Sequence, residues 1–265
     1  MNFQKNNKIG LFDSGVGGLS VFVEVKKLLP DMEYFFLADQ AHVPYGRKTQ
    51  KELQDLSARI VKFLLKSDIG ILVVACNTAT CYALDYLRQV FKIPIIGVVP
   101  ALKPAAKLTK NNKIAVMSTP ATAKSTYLKN LAKKFAKDKE VMLLGCKGLE
   151  DAVETLDRKT IKTLLDEYTK DVRDFGADTV VLGCTHYPFL KTEIKIRVGS
   201  GIQILDSGRA IAKRTSQLLK DREGRTKSKA IETFYTTGNP QKFSQIASQL
   251  LKYKVNSQFA RIQLL

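Results

Sequence analysis

Two of the four cysteines, Cys76 and Cys184, each follow a short run of apolar residues and precede polar ones, in the sequences VVACNT and VLGCTH. If each apolar run is a strand of an open parallel sheet, both thiols lie at strand carboxyl ends, where such sheets bind ligands. A helix that begins after Cys76 would lower the pKa of that thiol through its dipole, which predicts a reactive thiolate. The alternative is a buried, inert thiol, and Cys81 and Cys146 are assigned to that role.

Polar side chains beside these cysteines could complete a site. Asn77 and Thr78 are preferred N-cap residue types for the helix expected over Ala79–Phe91. His186 comes two residues after Cys184 and could poise that thiol. The alternative for His186 is a hydrogen-bonded structural histidine.

A glycine-rich segment near the N-terminus is a third candidate. Asp13 and Ser14 follow the apolar run Lys8–Phe12 and precede GVGG, which allows close backbone approach to a ligand at a helix N-terminus. The segment lacks the complete G-x-G-x-x-G pattern, so it is weak evidence for a dinucleotide site. Asp13 would repel a phosphate and suits a partner of a general base or a contact for an ammonium group. The segment His42–Arg47 is typical of a turn.

Alternating strand and helix patterns predict how these residues are positioned. The helical stretch Gln50–Lys66 begins with the capping-box pair Thr49 and Glu52, and the stretch Lys159–Phe175 ends at Gly176. Such alternation predicts a doubly wound α/β architecture. The predicted strands are Lys8–Phe12, Tyr34–Ala38, Ile69–Ala75, Ile95–Val98, Lys113–Met117, Val141–Leu144, Thr179–Gly183 and Ile202–Leu205.

The spacing of strand ends suggests an internal duplication. Asp13 precedes Cys76 by 63 residues, and Ser118, which follows a later strand, precedes Cys184 by 66. Two related α/β halves facing each other would bring both cysteines to one cleft. The alternative is chance similarity, because strand-then-polar segments are common.

Composition restricts the class of protein. With 265 residues, 45% of them hydrophobic, the chain can build a large core. Its net charge of +18 attracts anions such as nucleic acid, acidic lipid or a small acidic substrate. The N-terminus has no apolar signal region and no apolar run approaches membrane-spanning length, so a cytoplasmic protein without a membrane partner is expected. The segment Lys220–Lys229 is expected to be a solvated loop.

Four motifs, in this order and spacing, resemble glutamate racemase, of the aspartate/glutamate racemase family. They are IGLFDSGVGGLS at 9–20, ADQAHVPYGR at 38–47, VVACNTAT at 73–80 and VLGCTHYPFL at 181–190, and TTGNP at 236–240 is a further match. The resemblance covers nearly the whole chain. The DSGVGG and VPYG sequences favour glutamate racemase over aspartate racemase, which shares the two-cysteine plan.

The resemblance implies two pseudo-symmetric parallel-sheet α/β domains with the active site in the cleft between them. Residues 1–99 and 212–265 would form the first domain, and residues 100–211 the second. It implies interconversion of L-glutamate and D-glutamate, which supplies D-glutamate for peptidoglycan synthesis, with Cys76 and Cys184 as the two acid/base residues. No cofactor and no metal ion are expected.

The resemblance also assigns the residues around the cysteines. Asp13 would assist Cys76, whereas His186 and Glu154 would assist Cys184. Asp39 would lie near the site. After Cys146 the chain reads CKGLEDAVE, where many members have a proline-rich apolar stretch. The implied substrate contacts are Asp13, Ser14, Tyr45, Gly46, Asn77, Thr78, Thr185 and His186.

Partners follow from the same resemblance. Glutamate is the expected small-molecule partner. The sequence GVVPALKPA at 97–105 is similar to the subgroup from Gram-negative bacteria, some of which are activated by a peptidoglycan precursor. Activation of this chain by such a precursor is left open. The chain is expected to be a homodimer or a monomer.

Four other interpretations remain at this stage. One is an aspartate racemase. A second is a Cys₂His₂ metal site built from Cys76, Cys184, His186 and His42, although the spacing is unlike that of known zinc fingers. A third is a basic nucleic-acid-binding protein, for which no aromatic-interleaved basic motif or recognition helix is found. The fourth is a non-catalytic scaffold.

Overall fold

The computed structural model describes residues 7–220 and 231–262. Its contacts divide the chain into two compact units, unit 1 (residues 1–98 and 208–265) and unit 2 (residues 99–207). The expected charged loop Lys220–Lys229 lies, apart from its first residue, outside the described residues. Within the described ranges, no helix is both long and apolar enough to cross a bilayer.

The described residues form ten strands and eleven α-helices. The strands are β1 (Lys8–Asp13), β2 (Glu33–Ala38), β3 (Ile71–Val74), β4 (Ile95–Gly97), β5 (Lys113–Ser118), β6 (Glu140–Gly145), β7 (Thr179–Leu182), β8 (Gln203–Leu205), β9 (Glu232–Thr236) and β10 (Ser257–Phe259). The helices are α1 (Leu19–Leu28), α2 (Gln50–Leu65), α3 (Asn77–Val90), α4 (Leu102–Leu108), α5 (Pro120–Lys124), α6 (Thr126–Phe135), α7 (Leu149–Glu154), α8 (Arg158–Phe175), α9 (Lys191–Val198), α10 (Gly208–Lys220) and α11 (Pro240–Leu251).

Unit 1 is built on a six-stranded sheet in the order β10-β9-β2-β1-β3-β4. Every pairing in it is parallel, so helices must cover both faces. On one face α2 and α3 bury Leu53, Ile60 and Leu87 against the sheet. On the other, Phe22 of α1 makes edge contacts with Tyr34 and with aromatic rings of β2 and β9.

Unit 2 is built on a four-stranded parallel sheet in the order β6-β5-β7-β8. Helices α7, α8 and α9 pack on one face around Leu165 and Ile194. Helices α4 and α6 pack on the other around Leu102 and Leu128. The Ser207 hydroxyl at the end of the unit donates to the carbonyl oxygen of Val99 at its start, at 2.6 Å.

The two sheets contain the same arrangement of four strands. In unit 1 the order β2-β1-β3-β4 matches β6-β5-β7-β8 of unit 2. The registers agree as well, because the Ala75 N–H donates to the Phe12 carbonyl, as the Gly183 N–H does to the Met117 carbonyl. The doubly wound α/β architecture predicted from the strand–helix alternation is therefore confirmed, and so are the two parallel-sheet α/β units that the family resemblance implies.

The predicted local signals are largely confirmed. All eight predicted strands are present within one or two residues of their expected bounds. Helix α2 begins with the expected capping box of Thr49 and Glu52. Helix α8 ends at Gly176, which has a left-handed conformation. Strands β9 and β10, which the sequence patterns did not predict, complete the sheet of unit 1.

Candidate active site: two cysteine clusters

Both cysteines lie where strand order reverses. In a sheet of order 2-1-3-4, the first strand lies next to the third, and the crevice outside their carboxyl ends is a preferred ligand site. Cys76 comes two residues after β3, beside the end of β1. Cys184 comes two residues after β7, beside the end of β5. Each unit therefore presents one thiol at its own switch point.

Asp13 organises the end of β1. Its carboxylate is fully buried and accepts a hydrogen bond from the Ser14 N–H at 2.7 Å and another from the Gly18 N–H at the start of α1. The Ser14 hydroxyl donates to the same carboxylate at 3.3 Å and lies 3.7 Å from the Cys76 sulfur. We call these residues, together with Asn77, the next residue after Cys76, the Cys76 cluster: Asp13, Ser14, Cys76 and Asn77.

Cys76 is itself the N-cap of α3. Its sulfur accepts a hydrogen bond from the Ala79 N–H at 3.5 Å. The expectation that Asn77 and Thr78 cap a helix beginning at Ala79 is wrong, because both already lie inside the first turn of α3. Both side chains are buried.

The expected low pKa of Cys76 is also wrong. Burial raises the pKa of this thiol well above its usual value, and the negative charge of Asp13 raises it further. The hydrogen bond donated by the Ala79 N–H and the contact with the Ser14 hydroxyl act in the opposite direction but are outweighed. The helix N-terminus stabilises the thiolate, as expected, but desolvation dominates in this buried position.

A hydrogen-bond network centred on the buried Asp39 adjoins this cluster. The Asp39 N–H donates to the Asp13 carbonyl at 2.9 Å. The Asp39 carboxylate accepts from the Tyr45 hydroxyl at 2.6 Å and from the Thr237 hydroxyl at 2.8 Å, and it pairs with His42 Nδ1 at 2.7 Å. The expected turn at 42–47 is thus tied to the end of β2 and to the segment after β9.

Tyr45 lies close enough to Cys76 and Asp13 for their charges to act on it. Burial raises the pKa of Tyr45 well above its usual value, and the nearby Asp39, Cys76 and Asp13 charges add to the increase. Gly46 is exposed in the same short turn.

The Cys184 cluster consists of Cys184, Thr185, His186, Glu154 and Glu150. The Cys184 sulfur lies 3.5 Å from His186 Nδ1, and His186 Nε2 lies 2.6 Å from a Glu154 carboxylate oxygen. All three side chains belong to unit 2. Helix α7 supplies the carboxylate, and the loop after β7 supplies the thiol and the imidazole. Thr185, the residue between Cys184 and His186 in the sequence, is also buried.

Opposed effects set the protonation of this group. Burial raises the pKa of Cys184 above its usual value, while the charge and hydrogen bond of His186 lower it. Burial lowers the pKa of His186, but Cys184 and Glu154 outweigh burial and hold it well above its usual value. The contacts with Glu154 and Cys184 therefore favour the protonated form of His186.

The structure brings together most of the predicted residues within each unit. Two participants were not predicted from the sequence. Thr237 follows the unpredicted strand β9, although its TTGNP motif was noted. Glu150 lies in α7, and no sequence motif singled it out.

A metal centre gains no support from these clusters. Across residues 7–220 and 231–262, no three His, Cys, Asp or Glu side chains are grouped as metal ligands. His42, invoked in the Cys₂His₂ alternative, is paired with Asp39 instead.

Comparison with known proteins places the chain in a family. The family model described as Asp/Glu/Hydantoin racemase matches residues 18–215. A glutamate racemase of Roseiflexus sp. is 40% identical over 257 residues, 94% of each chain. Another, of Herpetosiphon aurantiacus, is 39% identical over 247 residues, 91% of this chain and 97% of the relative.

Solved structures similar to this chain are also glutamate racemases. The glutamate racemase isoform RacE1 of Bacillus anthracis has a TM-score of 0.88 at 31% identity, covering 96% of this chain and 97% of that one. The Escherichia coli glutamate racemase, in complex with L-glutamate and activator UDP-MurNAc-ala, has a TM-score of 0.82 at 33% identity, covering 96% and 97%. The chain belongs to the Asp/Glu/Hydantoin racemase family, and its relatives over most of its length are glutamate racemases.

Proposed function

We propose that this protein interconverts L-glutamate and D-glutamate by two-base proton transfer, with Cys76 and Cys184 as the two bases. One observation carries the proposal: a buried thiol stands at the equivalent strand end of both units, each with its own polar and charged neighbours. Duplicated thiols suit a reaction whose substrate and product are mirror images at one carbon.

The reaction needs one thiol in each protonation state. A thiolate removes the α-proton of glutamate, and the electron pair of the broken C–H bond moves onto the α-carbon and its carboxylate. The thiol on the opposite face then gives its proton to that carbon and becomes the thiolate. The proposal therefore requires both sulfurs to reach opposite faces of one α-carbon. No oxidation state changes, so no redox cofactor is proposed.

Burial of the thiols serves this chemistry. The α-proton of an amino acid is weakly acidic, and a thiolate with a raised pKa is the stronger base toward it. General acid–base help contributes roughly 10² to 10⁴ in rate. The remaining acceleration is assigned to a preorganised, water-poor site that stabilises the developing negative charge.

Donors for that charge are available in the Cys76 cluster. The buried Nδ2 of Asn77 has no hydrogen-bond partner among the described residues, and an unpaired buried donor costs free energy until a ligand satisfies it. Asn77 is the first residue of α3, whose N-terminal end favours an anion. We assign Asn77, Ser14, Thr78 and Thr185 to the substrate carboxylates.

The carboxylates have different roles. Asp13 fixes the position of Ser14 and raises the proton affinity of Cys76 through its charge. Glu154 orients His186 and holds it protonated, so that His186 stabilises the Cys184 thiolate. Asp39 holds Tyr45, which together with Gly46 we assign to substrate contacts.

The choice of glutamate rests on the relatives. The Francisella tularensis glutamate racemase, 26% identical with a TM-score of 0.83, was solved in complex with D-glutamate. An aspartate racemase homologue of Pyrococcus horikoshii is only 17% identical and supports the fold alone. Aspartate is therefore the less supported substrate. The D-glutamate product would supply peptidoglycan synthesis in the cytoplasm.

Proton exchange tests the mechanism directly. Wild type, Cys76→Ala and Cys184→Ala are each incubated with L-glutamate or D-glutamate in D₂O, and deuterium at the α-carbon and enantiomer content are followed. Wild type should produce the opposite enantiomer with deuterium incorporated. Each variant should lose at least 10² in the rate of interconversion. If either variant interconverted the enantiomers at the wild-type rate, the two-base assignment would be wrong.

Matched controls isolate the two thiols. Cys81→Ala removes a cysteine from α3 outside the cluster and should retain activity. Wild type dialysed against a chelator should also retain activity, whereas its loss would revive the metal alternative. Faster turnover of aspartate than of glutamate would reassign the substrate.

Three further assays on the wild-type protein test the expected activator, the oligomeric state and the nucleic-acid alternative. Addition of UDP-MurNAc-Ala to the racemisation assay tests activation by a peptidoglycan precursor, as described for the Escherichia coli relative. Light scattering distinguishes the homodimer from the monomer. Salt-dependent binding to duplex DNA, tighter than binding to glutamate, would favour the nucleic-acid alternative instead.

A further inference from the structure

The two cysteine clusters differ at one equivalent position. Strand β1 ends at Asp13, whose charge raises the pKa of Cys76. Strand β5 occupies the same place in its sheet but ends at Ser118, which carries no charge. The duplicated architecture thus supplies a carboxylate at the strand end beside one thiol and not beside the other.

Glu150 places a second carboxylate on the side of α7 that faces the Cys184 cluster. It lies in α7, four residues before Glu154, so both side chains project from one side of the helix. Glu154 reaches His186, which places this side of α7 against the Cys184 cluster. The Glu150 Oε2 atom is buried and has no hydrogen-bond partner among the described residues.

The charged and titratable groups around Glu150 come from several elements. His186 and Cys184 follow β7, and Tyr187 follows them. Cys146 follows β6 and Tyr168 lies in α8. Asp151 is the acidic neighbour on α7 itself.

The charge of Glu150 raises the pKa of Cys184. Burial raises the pKa of Glu150 itself, whereas the charge of His186 lowers it. Glu150 therefore changes the pKa of Cys184 in the same direction as Asp13 changes that of Cys76, although its effect is smaller than the opposing effect of His186.

We propose that Glu150 is a positioning residue whose buried carboxylate keeps Cys184 in its thiol form and so balances the two sulfurs as proton donors. Its reach is electrostatic, since no hydrogen bond joins Glu150 to Cys184 among the described contacts. The balance matters because glutamate racemisation, the proposed function on which this inference rests, has an equilibrium constant of one and uses each sulfur in turn. Without Glu150, protonated His186 would offset the Glu154 carboxylate, and the Asp13 charge would make Cys76 the stronger base.

The alkylation rate of each cysteine tests this role without substrate. Wild type and Glu150→Gln are treated with iodoacetamide between pH 6 and pH 10, and modification of each cysteine is quantified by peptide mass spectrometry. Loss of a nearby negative charge should shift the Cys184 profile down by about one pH unit, about tenfold faster alkylation at pH 7. The Cys76 profile, measured in the same samples, should not move.

Two further variants complete the design. Asp151→Asn removes an exposed carboxylate one residue along the same helix and should leave the Cys184 profile unchanged. Glu150→Met has similar volume and replaces Glu150→Gln if that variant does not fold. An unshifted Cys184 profile in the folded variant, or an equal shift in Asp151→Asn, would overturn the proposal.

The racemase assay separates this inference from the proposed function. In Glu150→Gln, the limb of the pH–rate profile that belongs to Cys184 should move in the same direction as the alkylation profile. A shifted alkylation profile without glutamate racemisation by wild type would retain the role of Glu150 and refute the function. An unshifted alkylation profile in Glu150→Gln, with full racemisation by wild type, would refute the role of Glu150 and retain the proposed function.

Discussion

Replacement of Asp13 by asparagine should weaken unit 1 and activate Cys76 at the same time. The buried carboxylate accepts hydrogen bonds from the backbone N–H groups of Ser14 and Gly18. In Asp13→Asn, the amide oxygen serves one of these donors, and the amide NH₂ faces the other. The change removes one charge-assisted bond and leaves one buried N–H unpaired, which costs about 2–4 kcal/mol of unfolding free energy.

Urea denaturation measures that loss, and alkylation measures the effect on the thiol. Without the Asp13 charge, which raises the Cys76 pKa, Cys76 should react about tenfold faster at pH 7. The control Asp55→Asn breaks an exposed ion pair with Lys51 in the same unit and should leave stability close to that of wild type. Stability of Asp13→Asn within about 1 kcal/mol of wild type, or slower alkylation of Cys76, would refute the reasoning.

Two other changes probe packing and protonation. In Gly18→Ala the new Cβ would lie 2.6 Å from the Asp13 Cβ and 3.2 Å from the Ala75 Cβ, so about 1–3 kcal/mol of stability should be lost. Gly201→Ala, which meets no atom within 4 Å, is the control, and equal urea midpoints for the two variants would contradict the packing argument. His186 has a raised folded-state pKa, so the stability it contributes is complete below its unfolded pKa of about 6.5 and is lost as pH rises through the folded value. The difference in unfolding free energy between wild type and His186→Asn should therefore shrink from pH 6 to pH 9, and a pH-independent difference would count against the Glu154–His186–Cys184 arrangement.

Much of the scaffold could be predicted from local patterns. Strands buried on both faces are near-continuous apolar runs, and β3 and β7 were recognised for that reason. Strand β9 has only two buried positions and β10 has none, so neither shows the apolar run of an inner strand. They are assigned to the sheet by pairing with β2 and with each other, which is information from distant parts of the chain.

The residues of the two cysteine clusters were likewise predictable only where local sequence is informative. The polar residues that follow Cys76 and Cys184 were found because they are close in sequence. The sign of the Cys76 pKa shift was missed because the sequence indicates the helix dipole but not the degree of burial. Thr237 was missed because its contact with Asp39 spans 198 positions.

The discontinuity of unit 1 has a consequence for biosynthesis. Residues 99–207 form one contiguous unit that can assemble as soon as it leaves the ribosome, since its first and last residues are already joined through Val99 and Ser207. Strands β9 and β10 are translated afterwards, and until then the outer edge of β2 has no neighbouring strand. The sheet of unit 1 is therefore completed, and Asp39 gains the Thr237 hydroxyl, only after residues 99–207 have been synthesised.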